Sequence, residues 1–405
     1  MRAPTGKLLV VDDNEMNRDM LSRRLAKQGH AVKVAEEGTR ALERIEQESF
    51  DLILLDIMMP GIDGFEVLKR LRERHEPGDL PVIMATAKSE SGDVVAALRT
   101  GANDYVTKPF DFPVVSARVR TQLELKRSRE ELAEAHRRMK SDLEAAARIQ
   151  QTLLPSDTLA IEGARAAWRY VPCDELAGDT LNVVTLDERM TGLFVLDVSG
   201  HGVPSSLLSV TLSRLLSGTR ESSSALWRLD PGSDLPRVAT PVEVLDELSR
   251  RFPYDDDTRQ YFTLVYGILD TDRGRFTYAS AGHPPVAHLR RGSVPSFHGS
   301  TGPPIALLPP IVGPSKFEQA TIAVEPGDRL YLYSDAVPEA LNPEGEQFGE
   351  ERLAETLKSL PDEELDRSIS VLLDRVWEWG GDKGPDDDVS VVAVDIAATR
   401  SPSAG

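Results

Sequence analysis

The chain has 405 residues and a formal net charge of −19 at pH 7, with 66 acidic against 47 basic side chains. This length suits two or three domains that each bury a core. The negative charge disfavours nucleic-acid binding, because a phosphate backbone would be repelled over most of the surface. It fits a protein that collects metal cations.

The cysteine content and the lengths of the apolar runs exclude further classes of protein. Cys173 is the only cysteine, which excludes an intramolecular disulfide and a cysteine-ligated structural zinc site. The first apolar run is too short for a signal peptide, and no run of about 18 residues is free of charge. We therefore expect a soluble, cytoplasmic protein that makes no contact with a membrane.

Residues 7 to 124 alternate short apolar runs with stretches of helical period. The runs are KLLVV, AVKVA, DLILL, PVIMA and DYVTK. Apolar runs that alternate with helices predict an α/β domain, in which a doubly wound, parallel five-stranded sheet is covered by helices on both faces. The polar residues at the carboxyl ends of these strands, where open sheets bind ligands, are Asp12, Asp13, Asp56, Thr86 and Lys108.

Each of these carboxylates has an ordinary explanation when taken alone. Asp12 and Asp13 are suited to begin a helix, and Asp56 to begin a turn. Together they would repel one another at one edge of the sheet, which favours a bound hard cation such as Mg²⁺. A carboxylate nucleophile near a metal, with a hydroxyl from Thr86 and an ammonium from Lys108, indicates a phosphoryl-acceptor site.

The stretches VVDDNE, LLDIMMPGIDGFE, ATA and YVTKPF resemble the receiver domain of two-component response regulators, a flavodoxin-like fold. The resemblance implies that Asp56 is phosphorylated by a sensor histidine kinase and that Lys108 pairs with the phosphoryl group. It also implies that the Lys108–Pro109 bond is cis and that Thr86 and Tyr105 form a switch pair. By the same resemblance, Mg²⁺ is held by Asp12 (through water), Asp13, Asp56 and the carbonyl of Met58.

Residues 121 to 153 contain no glycine or proline and predict one long helix. Apolar side chains recur every seven residues at Leu125, Leu132, Met139, Ala146 and Leu153, as in a coiled coil. The second apolar seam is weaker, since Ser128 and Asp142 fall in it. Dimerisation through this helix is the favoured interpretation, and a solvated connector without a partner is the alternative.

Beyond Pro155 the pattern is rich in strands, with helices expected at VPSSLLSVTLSRLLSG and PVEVLDELSRRF. Many strands with few helices between them predict a mainly antiparallel, layered α+β domain. Residues 217 to 240 are rich in Ser, Gly and Pro and are expected to form a loop. The final residues, 398 to 405, are expected to form a frayed tail.

Four aspartates of this region stand near predicted strand ends. One aspartate at a strand end is a common turn residue, but four in one domain indicate all-oxygen ligation of Mg²⁺ or Mn²⁺. Two such ions would activate a water and clamp a phosphoryl group. The four are Asp179, Asp197, Asp335 and Asp387.

The stretches ELAGD, DVSGHGVPSSLLS, ASAGHPP, YSDAVPEA and DDDVSVVAV resemble the SpoIIE-type, metal-dependent (PPM) serine/threonine protein phosphatases, whose fold is a layered α-β-β-α sandwich. The resemblance implies two Mn²⁺ or Mg²⁺ ions. Asp197 would bridge both with the Val198 carbonyl as a further ligand, Asp179 would serve one ion, and Asp335 and Asp387 the other. Asp197, Asp335 and Asp387 are then the expected catalytic residues.

Some positions depart from the family pattern or have open roles. Ala336 stands where a glycine is usual, which is expected to tighten the metal loop. Thr180 and Asn182 replace the usual aromatic and acidic residues. His201 is either catalytic or structural, and His283 is expected to fix a turn rather than to bind metal.

The sequence thus predicts a response regulator with a phosphatase output. Its parts are a receiver (1–124), a helical coiled-coil-like linker (125–153), a phosphatase (154–397) and a tail (398–405). The resemblance suggests a phosphorylated STAS-type anti-sigma-factor antagonist as substrate, within a partner-switching system. The alternative is a catalytically weak phosphatase fold that binds a regulatory protein under receiver control.

Overall fold

The computed structural model describes residues 5–87, 91–156, 160–221, 223–230, 235–309, 311, 316–381 and 384–397. The predicted tail lies outside these residues. The chain divides into two compact units, Met1–Met139 and Lys140–Gly405. Within the described residues, no helix is both long and apolar enough to cross a bilayer.

The first unit contains a five-stranded parallel sheet in the order β2-β1-β3-β4-β5. Its strands are β1 (Lys7–Val11), β2 (Ala31–Ala35), β3 (Leu52–Asp56), β4 (Val82–Ala87) and β5 (Asp104–Lys108). The helices between them are α1 (Glu15–Lys27), α2 (Gly38–Gln47), α3 (Gly64–Arg72) and α4 (Ser91–Arg99). The sheet is buried on both faces by two separate apolar clusters. The predicted α/β fold is confirmed.

Local hydrogen bonds explain why the helices begin where they do. The Asn14 side chain accepts the backbone N–H groups of Met16 and Asn17 at the start of α1. The Asp63 side chain accepts the N–H of Glu66 at the start of α3. These caps satisfy donors that the first helical turn leaves free. They also turn the chain sharply after β1 and near the end of β3, where the polar residues stand.

Helix α5 (Phe112–Gln151) is 40 residues long, and the boundary between the two units falls within it. Three residues of the predicted heptad seam are largely exposed in this single chain, namely Leu125, Leu132 and Met139. The predicted long helix is present. Its role in dimerisation stays a prediction.

The second unit stacks two antiparallel sheets between helices. One sheet has the order β16-β13-β12-β9-β8 and the other β15-β14-β17-β18-β7-β6. An apolar cluster between them draws Leu193 and Val195 from the first sheet and Leu332 and Val392 from the second. Two further clusters lie on the outer faces under the helices. The layered α-β-β-α arrangement is therefore confirmed.

The strands of this unit are β6 (Ala160–Ile161), β7 (Ala164–Val171), β8 (Thr180–Thr185), β9 (Met190–Val198), β10 (Trp227–Leu229), β11 (Pro236–Val238), β12 (Phe262–Asp270), β13 (Arg275–Ala281), β14 (Val286–Leu289), β15 (Ser296–His298), β16 (Ala320–Ala323), β17 (Arg329–Tyr333) and β18 (Val389–Ile396). The helices are α6 (Val203–Leu215), α7 (Pro241–Arg251), α8 (Ala336–Glu339), α9 (Gly349–Lys358) and α10 (Leu365–Gly380).

The structure differs from the sequence prediction in two places. Residues 217 to 240 are not only loop, because β10 and β11 pair as an antiparallel hairpin within them. Helices α8, α9 and α10 were not expected beside α6 and α7. Helix α10 buries Leu365, Ile369, Leu372 and Val376 at helical spacing against its sheet, so its pattern was present but was outweighed by the neighbouring strands.

Candidate functional site

The first candidate site lies at the carboxyl ends of β1 and β3. Carboxylate oxygens of Asp12, Asp13 and Asp56 lie within 4.8 Å of one another. Asp12 and Asp56 are buried and Asp13 is exposed. Three carboxylates this close match the oxygen ligand set that Mg²⁺ prefers, with one side open to solvent. These three residues therefore fit a divalent cation.

Lys108 faces the same carboxylates from the end of β5. Its Nζ lies 2.5 Å from Asp56 Oδ2 and 2.8 Å from Asp12 Oδ2. Burial raises the pKa of Asp56, and the ammonium of Lys108 opposes that rise. Burial alone would lower the pKa of Lys108, but its hydrogen bonds to Asp12 and Asp56 raise it above the ordinary value. The Lys108–Pro109 bond is cis, as the resemblance implied.

The other receiver residues named from the sequence lie around this cluster. Thr86 is buried on β4, and Tyr105 is half-buried on β5. The Arg118 guanidinium lies 5.2 Å from the centre of the Tyr105 ring. The backbone N–H of Met58 donates to Asp56 Oδ1 at 3.4 Å, while the Met58 side chain is exposed. The positions fit the predicted roles, which remain proposals.

The second candidate site is built from both sheets of the second unit. Asp179 immediately precedes β8, and Asp197 lies near the end of β9, which pairs with β8. Asp335 follows β17 and Asp387 precedes β18, which pairs with β17. The four aspartates are thus brought together from residues spread over more than 200 positions of the chain.

Burial and the charges of neighbouring aspartates raise the pKa values of these four carboxyl groups. Burial, with the charges of Asp335 and Asp387 next in order, raises the pKa of Asp197 to about 7. Burial and the charge of Asp387 raise the pKa of Asp335 to about 6. Burial also raises the pKa of Asp387, and burial together with Asp197 raises that of Asp179 well above its ordinary value. So many crowded carboxylates are stable as anions only beside cations.

Asp179 supplies an independent sign of a missing partner. Its side chain is buried, and its Oδ2 atom has no hydrogen-bond partner among the described residues. Buried polar atoms without a partner are rare in folded proteins. With only oxygen donors offered by the four aspartates, the site fits Mg²⁺ or Mn²⁺.

Glycines allow the loops of this site to approach closely. A Cβ atom on Gly178 would lie 2.8 Å from the carbonyl oxygen of Val198, closer than real Cβ contacts allow. Gly200 and Gly202 have φ angles of 80° and 86°, which side-chain-bearing residues rarely adopt. The segment before Asp179 can therefore pack against the backbone that follows Asp197, including the Val198 carbonyl predicted as a ligand.

The two histidines near the site differ in their surroundings. His201 is largely exposed, with Nδ1 3.3 Å from Asp174 Oδ2. His283 is buried, and burial lowers its pKa to about 3. Its Nδ1 lies 2.7 Å from the hydroxyl of Thr263, which pairs with Asp197 across β12 and β9. His283 is therefore a neutral side chain that supports the strand beside Asp197, in keeping with a structural role.

The departures from the family pattern also have structural positions. Ala336 is buried in the short helix α8, where a Cβ atom meets no conformational penalty. Thr180 is buried at the start of β8. Asn182 Nδ2 donates to the backbone oxygen of Leu153 at 3.0 Å, which ties β8 to the turn that follows α5.

Sequence reasoning missed two residues that contact the loop carrying Asp179. Asp388 is buried and accepts backbone N–H groups of that loop, whereas the motif pointed to its neighbour Asp387. Gln150, near the end of α5, is also buried and bonds to the backbone of Ala177. For Asp388 the only signal was the run of three aspartates. For Gln150 it was a polar residue beside Ile149, the apolar member of the weaker second heptad seam.

Comparison with known proteins gives a match for each unit. A family model of Stage II sporulation protein E (SpoIIE) matches residues 187–397, and a model of the response regulator receiver domain matches residues 8–120. Regulatory protein VanRc of Enterococcus gallinarum is 45% identical over 117 residues, which are 29% of this chain and 49% of that protein. Transcriptional regulatory protein AfsQ1 of Streptomyces coelicolor is 43% identical over 116 residues, 29% of this chain and 50% of that protein.

The chain thus spans about half the length of these curated relatives. Among solved structures, the SiaA-PP2C domain of Pseudomonas aeruginosa is similar with a TM-score of 0.53. The match covers 65% of this chain and 99% of that domain at 20% identity, so the likeness is one of fold. Since the SpoIIE model covers more than half of the 405 residues, the chain belongs to the SpoIIE family, and a response regulator receiver domain precedes its SpoIIE domain.

Proposed function

We propose that this protein is a response regulator whose output is a metal-dependent protein-serine/threonine phosphatase. One observation carries the proposal. The carboxylates of Asp179, Asp197, Asp335 and Asp387 raise one another's pKa, and one buried oxygen of Asp179 has no partner among the described residues. Such a set is suited to hold two divalent cations, Mn²⁺ or Mg²⁺.

The proposed chemistry is hydrolysis of phosphoserine or phosphothreonine. Two bound cations would lower the pKa of a water molecule and offset charge on the phosphoryl group. Asp197, whose pKa responds to the charges of Asp335 and Asp387, would hold both cations, with the Val198 carbonyl as a further ligand. Asp335 and Asp387 would hold one cation and Asp179 the other, so that the carboxylates fix the two ions, which would activate the attacking water.

The proposed input is phosphorylation of Asp56 by a sensor histidine kinase. Mg²⁺ held by Asp12, Asp13, Asp56 and the Met58 carbonyl would neutralise the incoming phosphoryl group. Lys108 already bonds to Asp56 Oδ2 and would pair with a phosphoryl oxygen instead. Thr86 and Tyr105, on neighbouring strands β4 and β5, are the proposed switch pair that reads the change.

The proposed coupling runs through the end of α5. Gln150 and Asn182 join this segment to the loop that precedes Asp179 and to β8, at positions next to a proposed metal ligand. A change in the pairing of α5 between two copies of the chain would reach the metal loop through these bonds. The proposed state of the protein is therefore a homodimer with α5 as the bistable element.

The proposed substrate is a phosphorylated STAS-type anti-sigma-factor antagonist, which the phosphatase would dephosphorylate in a partner-switching system. The support for this part is the motif resemblance and the SpoIIE family match. The proposal places the protein in the cytoplasm.

The test is hydrolysis of a phosphoserine peptide by the full chain with Mn²⁺ or Mg²⁺, compared with metal-free protein. We expect turnover that depends on the cation and disappears in the Asp197→Ala variant. A folded protein that binds Mn²⁺ but hydrolyses no phosphopeptide would contradict the proposal and favour the catalytically weak adaptor.

A further inference from the structure

Asp388 differs sharply from the two aspartates that precede it. Asp386 and Asp387 are exposed, whereas Asp388 is only 3% exposed. Its Oδ1 atom accepts the backbone N–H of Cys173 at 2.8 Å. Its Oδ2 atom accepts the N–H of Gly178 at 2.7 Å and that of Asp179 at 3.4 Å. Both oxygens are thus engaged by main-chain donors of one segment.

No lysine or arginine forms an ion pair with Asp388 within the described part of the chain, so its charge is met by these N–H groups. Three N–H donors stabilise a carboxylate anion even in a buried position. The same hydrogen bonds restrain the backbone of the segment that donates them. Residues 173–179 are therefore tethered to the start of β18.

The main chain of Asp388 is fixed as well. The Ser334 hydroxyl donates to the Asp388 carbonyl oxygen at 3.1 Å and accepts the N–H of Ser390 at 3.0 Å. Ser334 directly precedes Asp335, and Asp387 directly precedes Asp388. One buried residue thus connects three proposed ligands, Asp179 through its side chain, Asp387 through the peptide bond and Asp335 through Ser334.

We propose that Asp388 is a positioning residue that sets the spacing of Asp179, Asp335 and Asp387 for the metal centre. This inference rests on the proposed phosphatase function. Metal ligands that are not held apart in the right geometry must rearrange on binding, and loss of such supporting contacts costs about 10–100-fold in metal affinity. Asp388 acts through the ligands and touches no substrate.

The test compares Mn²⁺ binding to the full chain by calorimetry and electron paramagnetic resonance in wild type, Asp388→Asn and Asp386→Asn. In Asp388→Asn the side-chain NH2 group would replace one acceptor oxygen, so it would face the backbone N–H of Gly178 or of Cys173 and could accept no hydrogen bond from it. We expect Mn²⁺ affinity to fall about 10–100-fold in Asp388→Asn. Affinity should be unchanged in Asp386→Asn, which removes the same charge from an exposed neighbour.

Turnover measured as a function of Mn²⁺ concentration distinguishes a positioning role from a general loss of folded structure. If Asp388 only positions ligands, saturating Mn²⁺ should restore most of the turnover of Asp388→Asn. The apparent dissociation constant for Mn²⁺ should therefore rise by a much larger factor than kcat falls. Asp388→Glu keeps the anion and both acceptors and should recover part of the affinity. Wild-type Mn²⁺ affinity in Asp388→Asn would overturn the inference.

If the variants do not fold, amide hydrogen exchange of the metal-free wild-type protein decides. We expect the N–H groups of Gly178 and Asp179 to be protected although their segment is a loop, and rapid exchange at both would overturn the inference. Wild-type protein that binds no Mn²⁺ at all would instead contradict the proposed function, and the exchange measurement would still test the tether.

Discussion

Gln150 and Ala177 are joined by two hydrogen bonds, from one side chain to the backbone N–H and C=O groups of one residue. Gln150 Nε2 donates to the Ala177 carbonyl oxygen at 2.7 Å, and Gln150 Oε1 accepts the Ala177 N–H at 3.3 Å. Both residues are buried, and Asp179 is only two positions beyond Ala177. A shift of the end of α5 would therefore act on the loop that presents a proposed metal ligand.

The first prediction concerns this bond. Gln150→Ala should weaken the coupling of the metal loop to α5, so that turnover responds less to beryllofluoride, a phosphoryl mimic, bound at Asp56. Loss of one coupled contact is expected to reduce the coupling by about 0.5–2 kcal/mol. The matched control is Gln151→Ala, since Gln151 is the same residue type next to it but is exposed. A full beryllofluoride response in Gln150→Ala would contradict this route.

The second prediction concerns Asp335. Its half-buried carboxylate, with the pKa raised to about 6, should become an anion when a cation binds beside it. Asp335→Asn should therefore lower turnover by about two orders of magnitude at saturating Mn²⁺. Asp374→Asn, an exposed aspartate on α10, is the control, and steady-state kinetics on a phosphoserine peptide is the measurement. Equal turnover in both variants would remove Asp335 from the metal centre.

The third prediction uses the single cysteine. Cys173 is exposed as a residue, but partial desolvation of its thiol, followed by the charges of Asp388 and Asp387, raises the thiol pKa from its ordinary value of 9.0 to about 12. At pH 8 the thiolate fraction should be about a thousandfold below that of a free thiol, and alkylation by iodoacetamide correspondingly slow. Mn²⁺ beside Asp387 would lower this pKa, so alkylation should accelerate when Mn²⁺ is added.

Mass spectrometry reports this reaction directly, because only one thiol is present. A short peptide containing one cysteine is the control for effects of Mn²⁺ on the reagent. An alkylation rate that is the same with and without Mn²⁺ would argue against a cation beside Asp387.

The fourth prediction concerns stability at low pH, far from either site. Burial alone would raise the pKa of Asp328, but hydrogen bonds from Arg290, the Glu325 N–H and His288 hold it below the ordinary value of 3.8. A depressed folded-state pKa contributes stability above the unfolded pKa and loses it as the pH falls through the folded value. The protein should therefore lose this contribution below about pH 4.

Asp328→Asn tests this statement. At pH 7 the variant should be destabilised by about 1–3 kcal/mol, because buried donors lose a charged acceptor. The difference from wild type should shrink as the pH falls below about 4. Asp362→Asn removes one partner of an exposed ion pair with Arg291 and should change the free energy of unfolding by less than about 1 kcal/mol. A pH-independent effect of Asp328→Asn would contradict the assignment.

Much of this fold was predictable because its core strands carry continuous apolar runs. Leu52 to Leu55 are buried on both faces, and the same pattern marks β1 and β4. The hairpin of β10 and β11 was missed because strands of three residues leave too short a pattern among turn-forming residues. Helix α9 was missed although Leu353 and Leu357 stand at helical spacing, since strands dominate the surrounding sequence.

For the sites, the predictable part was the residue type at strand ends. Asp197 and Asp335 stand at the ends of apolar runs, so the sequence alone identifies them as candidate metal ligands at strand ends. The tether from Asp388 to Gly178 and the bond from Gln150 to Ala177 join residues 210 and 27 positions apart. Contacts of this kind depend on how sheets and helices pack in three dimensions, and no local pattern specifies them.

The central claim is that phosphorylation of Asp56 controls a metal-dependent phosphatase. The most direct measurement is Mn²⁺-dependent hydrolysis of a phosphoserine peptide by the full chain, with and without beryllofluoride, in wild type, Asp56→Asn and Asp79→Asn. We predict that beryllofluoride changes turnover in wild type and in Asp79→Asn, an exposed control, and leaves Asp56→Asn unaffected. Turnover that is the same with and without beryllofluoride in wild type would contradict receiver control.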